Sequence, residues 1–239
     1  MGIDVFDIAA KSFSSLVNNR TVLVYAFIGG IVGTLLFATL ISQISALRAL
    51  SGTSPSSVLL PALLAIIGTS AIGIVVSFLI NVFIKGSIIS AANAGAKADI
   101  GRAASQAVKR YLVFLVTTLV VSIAVAIGLI LLVIPGIYLA VKLSVAPVEA
   151  VVGKKGVVAS LQSSWSKTEG NFLAILAVLV VVVIAIWIIS VVLGGILLFA
   201  GLSPVGSFVS EFVGYSLTVS LVLIYQGISG PKAKKRRGR

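Results

Sequence analysis

The sequence contains neither cysteine nor histidine. Without thiols there is no disulfide framework and no sulfur nucleophile. Without imidazole there is no base poised near neutral pH and no soft metal site. Charge is scarce as well: 10% of residues are charged, against about a quarter in a typical soluble domain. So little polar surface cannot cover a water-soluble globule of 239 residues, which is one domain's worth of chain. No phosphate-binding glycine loop, metal-ligand cluster or serine–lysine dyad can be argued from the residues. The chain therefore reads as a non-enzyme with no cofactor. Met occurs once, and Asn and Gln are sparse beside Ile and Val, a composition that leans towards a thermophile.

What the chain has is apolar length. Hydrophobic residues make up 59% of it, and mean hydropathy is +1.22. A helix needs about 20 apolar residues to cross the hydrocarbon core. Runs of that kind occupy residues 21–44, 58–84, 111–134, 172–200 and 207–228, with a shorter one at 137–152. The first residues carry Asp4 and Asp7 where a cleavable signal would be basic, so the first hydrophobic helix is expected to act as an uncleaved anchor. Within residues 1–20, Ile3, Phe6, Ala10, Phe13 and Leu16 or Val17 recur at helical spacing opposite Asp4, Asp7 and Lys11. They predict an amphipathic helix, either lying in the membrane interface or tucked against the bundle. Residues 85–110 are basic and rich in small side chains, and they predict two short interfacial helices with Asp99 near the start of the second. Val157, Val158, Leu161 and Trp165 predict another in the polar stretch 153–170.

Charge bias orders these pieces. The net charge is +12, and basic residues gather on the cytoplasmic side of membrane segments. Loops 85–110 and 153–170 are both basic, so an even number of crossings must separate them. With Pro135-Gly136 as the outer turn of a hairpin, residues 111–134 go out and 137–152 return. The scheme has six spans in a transmembrane domain 21–229, with both termini and the basic tail 230–239 in the cytoplasm of a cell-membrane protein. Only Arg48 then lies outside, with the loops around Ser54, Gly136 and Ser203. The alternative is one long helix kinked at Pro135, which gives five spans.

The central run carries a resemblance. "GAKADIGRAASQAVKR", "LLVIPGIYLAVKLSVAPVEAVV" and "GVVASLQSSWSKTEGNF" resemble the membrane domain attached to some glycerophosphoryl diester phosphodiesterases, and related bacterial and archaeal membrane families. Pro135-Gly136, Lys142, Pro147, Ser164-Trp165 and Thr168-Glu169-Gly170 stand at the matching positions, within residues 86–180. The resemblance implies a six-helix membrane module. It implies no activity, because the phosphodiesterase chemistry belongs to a separate soluble domain.

Few residues remain as site candidates. Lys142 and Glu149 are seven apart, nearly two turns, and share one stripe of the short span. Intramembrane charges line a polar site or snorkel to an interface; Glu149 lies near the cytoplasmic end, and Lys142 nearer mid-helix. Lys232, Lys234, Lys235, Arg236, Arg237 and Arg239 follow the last span directly, a cluster suited to anionic head groups or to plain topological anchoring. Glu211, just inside the last span, reads as solvated at the outer face or paired with Arg48. Gly29 and Gly33 form a small-xxx-small pair for close helix packing, and Gly194-Gly195 reads as loosening the fifth span. Three functions follow as expectations. The first is a non-catalytic module that organises lipid or a membrane complex through its interfacial helices and tail. The second is a small-solute or lipid transporter or channel that uses Lys142 and Glu149. The third is a docking subunit for a ribosome or another large assembly, the one route to nucleic acid. A protein partner or homo-oligomer fits each of them.

Overall fold

The computed structural model describes residues 4–51 and 56–229. Among these residues all regular structure is helical. In chain order the helices are α1 (Val5–Asn18), α2 (Arg20–Ser51), α3 (Ser56–Ala94), α4 (Ile100–Lys109), α5 (Tyr111–Leu131), α6 (Val133–Lys142), α7 (Ala146–Val151), α8 (Val157–Thr168), α9 (Phe172–Phe199) and α10 (Ser203–Ser229). Six segments are long and apolar enough to cross a bilayer: Arg20–Ser45, Leu64–Lys97, Tyr111–Leu131, Val133–Val151, Phe172–Phe199 and Ser203–Ser229. The protein is a polytopic all-α membrane bundle. The loop holding Ser54 and the tail 230–239 lie outside the described residues.

Three hairpins, α2/α3, α5/α6 and α9/α10, make up the bundle. The five-span alternative fails at Leu132, where the chain is extended and α5 stops. The turn thus comes three residues before Pro135-Gly136, not at that pair. Pro135 falls in the first turn of α6, where a missing N–H removes no intrahelical bond. Gly136 instead serves packing: a Cβ on Gly128 would lie 2.9 Å from the Gly136 Cα. The α9/α10 turn is also tighter than the expected 201–206. Gly201, with φ +73°, lets the Leu202 amide reach back to the Leu197 carbonyl at 2.7 Å. α9 runs unbroken through Gly194-Gly195, and Gly206 of α10 lies against the Gly194 backbone, where a Cβ on Gly206 would be 3.4 Å from the Gly194 Cα.

Residues 85–110 form one new helix where the sequence predicts two. α3 runs unbroken for 39 residues, about 58 Å, past the roughly 30 Å hydrocarbon core. A positive-φ turn at Gly95 then leads to α4, whose N-cap is Asp99, accepting from the Arg102 amide at 3.0 Å.

Burial is concentrated at one end of the bundle, here the base. There the starts of α2, α5 and α9 meet the ends of α3, α7 and α10, and α1, α4 and α8 pack around them. At the far end the hairpins splay: Ile130 is 84% exposed, Ile134 82% and Phe199 94%. The contrast follows from the solvent. Lipid tails cover Leu, Ile and Val as well as another helix does, so apolar distal halves have little reason to pack. The base is held by polar stitches. Asn19, the single residue between α1 and α2, caps the Thr21 and Val22 amides with Oδ1 and donates from Nδ2 to the Gly95 carbonyl at 3.0 Å. Tyr25 donates to the Ile100 carbonyl at 2.8 Å.

α1 packs on α10, α9 and α2, with Ile8, Ala9, Ser12 and Leu16 buried. Of the stripe expected from sequence, Leu16 is buried against the bundle, while Phe6 and Val17 stay exposed. The helix has three faces of roughly 120° each: one on the bundle, one charged with Asp7 and Lys11, and one apolar and free.

Candidate functional site

The fourth span is broken, and the break creates the site. Pro147 has no N–H, so the helical bond to the Leu143 carbonyl cannot form. The Ala146 amide turns to that carbonyl instead, at 3.1 Å, and leaves the Lys142 carbonyl without its usual helical donor. A bare carbonyl in a membrane core is costly. Two hydroxyls of α8 supply the donors: Ser164 at 2.8 Å and Thr168 at 3.4 Å. Ser160, Ser164 and Thr168, spaced by four, are fully buried and form the face by which α8 enters the bundle.

Glu149, near the end of α7, is also fully buried. Its Oε1 lies 2.6 Å from the Lys167 ammonium and accepts from the Ser163 hydroxyl at 2.7 Å. Its Oε2 has the Lys155 ammonium at 3.4 Å without hydrogen-bond geometry. Lys155 donates to Ser163, and Lys167 donates to Ser229 at 2.9 Å while lying 4.5 Å from the Tyr225 ring centroid. One carboxylate therefore ties α7, α8 and the end of α10 together. The chain makes room for it at Gly153, where a Cβ would run into Oε2. The next residue, Lys154, holds φ +53° so that the Lys155 amide can reach back to the Glu149 carbonyl at 3.3 Å.

Lys142 and Glu149 are not partners: Lys142 ends α6, halfway along the Val133–Val151 span, and the turn between α6 and α7 separates it from Glu149. Its ammonium sits 5.4 Å from the Trp165 ring centroid and 5.8 Å from that of Tyr138, and the residue is 6% exposed. The two rings meet edge to face, and Phe172 extends the aromatic wall. Quadrupole attraction offsets part of the cost of burying the ammonium. Polar groups of neighbouring spans bond elsewhere: Asn81 accepts from Tyr215 and Thr117 donates to the Val113 carbonyl.

Lys155, Ser163 and Lys167 were not singled out from sequence, because their link to Glu149 spans a loop and a helix turn. One signal was present: Pro147 in a span implies an orphan carbonyl, and the Ser160-Ser164-Thr168 stripe offers hydroxyls at helical spacing. Around this cluster the described lysines and arginines, Arg48 excepted, all lie in the basal half. No protein-family model, curated protein or solved structure matches this chain.

Proposed function

We propose that this protein is a non-catalytic membrane module whose base is cytoplasmic and grips anionic lipid head groups. The observation that carries this reading is common to the three peripheral helices. Each buries small residues against the spans: Ala9 and Ser12 of α1, Ala103 and Ala107 of α4, Ser160 and Ser164 of α8. Each leaves large apolar side chains free: Phe6 and Val17, Ile100 and Val108, Val158 and Trp165. Exposed cations stand beside them, among them Arg20, Arg102 and Lys109. Apolar residues that face outwards next to cations suit the level where acyl chains meet phosphates. The tail Lys232–Arg239 would add to the same field, at about 1 kcal/mol per basic residue near an anionic surface. The Glu149 cluster serves this reading by fixing α8 and the end of α10 in register, so that the cations are presented together.

A ligand that binds the folded state raises its melting temperature. The purified chain should melt higher in bicelles containing phosphatidylglycerol than in phosphatidylcholine bicelles, and salt should remove the difference. Replacing Arg20, Arg102 and Lys109 together by Gln should also remove it. Equal melting in both lipids at low salt refutes the reading.

A further inference from the structure

Lys142 is buried and unpaired. Only 6% of the residue is exposed, yet among the described residues its ammonium has no hydrogen-bond or ion-pair partner. Its own carbonyl, by contrast, takes two hydroxyls of α8. The ammonium faces rings instead, Trp165 at 5.4 Å and Tyr138 at 5.8 Å from the centroids. Rings attract the charge but leave the three N–H donors of an ammonium without acceptors. The same rings carry donors of their own. Neither the Tyr138 hydroxyl nor the Trp165 indole N–H is hydrogen-bonded among the described residues, and the two side chains are 41% and 40% exposed. The ammonium is not sealed behind them, since part of its surface stays open to the outside. Three kinds of donor thus border one opening, with no acceptor among the described residues.

Lys142 is halfway along the Val133–Val151 span by residue count, but its neighbours stand at the ends of theirs. The Tyr138 ring lies 5.4 Å from that of Phe172, the first residue of α9. Val141 shares a core cluster with Ile228, next to the last residue of α10. The ammonium is therefore at the level where these spans meet the head groups, and where Trp and Tyr gather. Towards the far end of the bundle its stripe continues through Tyr138 to Ile134, spaced by four. Ile134 is 82% exposed, so about 12 Å of α6 offers an apolar track to lipid.

A fitting ligand brings an anion to the ammonium and lays an apolar chain on that track. A water-soluble anion meets only the first demand, and a neutral lipid only the second. We infer that Lys142, Tyr138 and Trp165 bind the phosphate of a single phospholipid, whose acyl chain lies along Tyr138 and Ile134. The phosphate accepts from the ammonium, the phenol and the indole, and its charge offsets that of the buried lysine. Trp165 also borders the basal face, but none of Arg20, Arg102 and Lys109 takes part. The inference therefore does not rest on the basal grip: it concerns one lipid at a fixed place, not an open field of exposed cations.

Trp165 is the probe once Trp187, exposed on α9, is replaced by Phe. The full chain with Trp187→Phe, in dodecyl maltoside micelles, is titrated with phosphatidylglycerol brominated in its acyl chains. Trp165 fluorescence should be quenched in a saturable phase that fits a single site. Lys142→Met and Lys142→Gln should each weaken binding at least about tenfold, the worth of one hydrogen bond to a charged group. Lys142→Arg, which keeps the charge, should retain it. Replacing Arg20, Arg102 and Lys109 by Gln should leave it unchanged, and so should salt that screens exposed charges, because this pair is sheltered. Melting followed by circular dichroism confirms that the variants fold. Quenching that never saturates overturns the proposal. So does equal quenching by brominated diacylglycerol, which would mean an apolar face alone, or displacement by soluble glycerol phosphate, which would mean a phosphate site without lipid. Unchanged binding in folded Lys142→Met and Lys142→Gln overturns it as well.

Discussion

Removing Lys167 should cost more than removing the charge of Glu149, and the asymmetry follows from burial. In Lys167→Met the carboxylate loses its 2.6 Å partner and cannot turn to water, since Glu149 is fully buried. Breaking a buried pair from one side costs about 3–5 kcal/mol. Ser163 and the Lys155 ammonium remain, which places the loss near the lower figure. Glu149→Gln instead leaves two ammoniums with side chains 23% and 38% exposed, which water and salt can screen. Lys167 also keeps Ser229 and the Tyr225 ring. That loss should be about 1 kcal/mol. At 2–4 °C per kcal/mol for a chain of this size, the melting temperature should fall by roughly 6–12 °C in Lys167→Met and roughly 2–4 °C in Glu149→Gln. The double variant Glu149→Gln/Lys167→Met should lie well above the sum of the two losses, with a coupling of about 2 kcal/mol. Trp165, beside Lys142 on α8, reports the transition by its fluorescence. Equal losses, or a larger loss in Glu149→Gln, would show that the carboxylate reaches water and would refute the argument.

Four further expectations use the same measurement or simple labelling. Gly153→Ala drives a Cβ into Glu149 Oε2 and should destabilise by about 1–3 kcal/mol, with much less effect when Glu149→Ala is already present. Ser164→Ala combined with Thr168→Val strips both donors from the Lys142 carbonyl and should cost about 1–3 kcal/mol, whereas Thr168→Ser should be nearly silent. Gly29→Ala should lower the melting temperature, because its Cβ collides with a Tyr215 ring held by Asn81; Tyr215→Phe alone should cost only about 0.6 kcal/mol, the mean for such bonds in membranes. In the cysteine-free chain, an impermeant thiol reagent should reach Leu132→Cys and Lys97→Cys only from opposite sides of the membrane; labelling of both from one side contradicts the six-span arrangement.

The spans were legible because membrane insertion is decided mainly by length and hydropathy, both of which are local quantities. Turn positions were less so. Pro135-Gly136 reads as a turn by residue type, yet the chain turns at Leu132, since proline is as well placed inside the first helical turn as before it. The buried face of α1 was left open for a related reason. A helix with two apolar stripes gives a periodicity that says a face exists, but not which stripe the bundle takes. The continuation of α3 to Ala94 was hidden by Lys85, a charge that reads as the end of a span.

The polar sites were legible as residues and illegible as pairs. Lys142 and Glu149 stand out because charge is rare in a span, and helical spacing then offers each to the other. That inference assumes an unbroken helix, and Pro147 removes the assumption: past the break, α7 points Glu149 towards α8 and α10 while Lys142 stays among Tyr138 and Trp165. Glu211 is the converse case. Read alone it belongs to an interface, and only the glycines of α2, which admit its stem at the midpoint of the first span, place it at depth. In both cases the partner is chosen by what the backbone permits, a proline that frees a carbonyl or a glycine that leaves a space. In a chain so poor in charge, prolines and glycines inside spans locate polar sites better than the charged residues do.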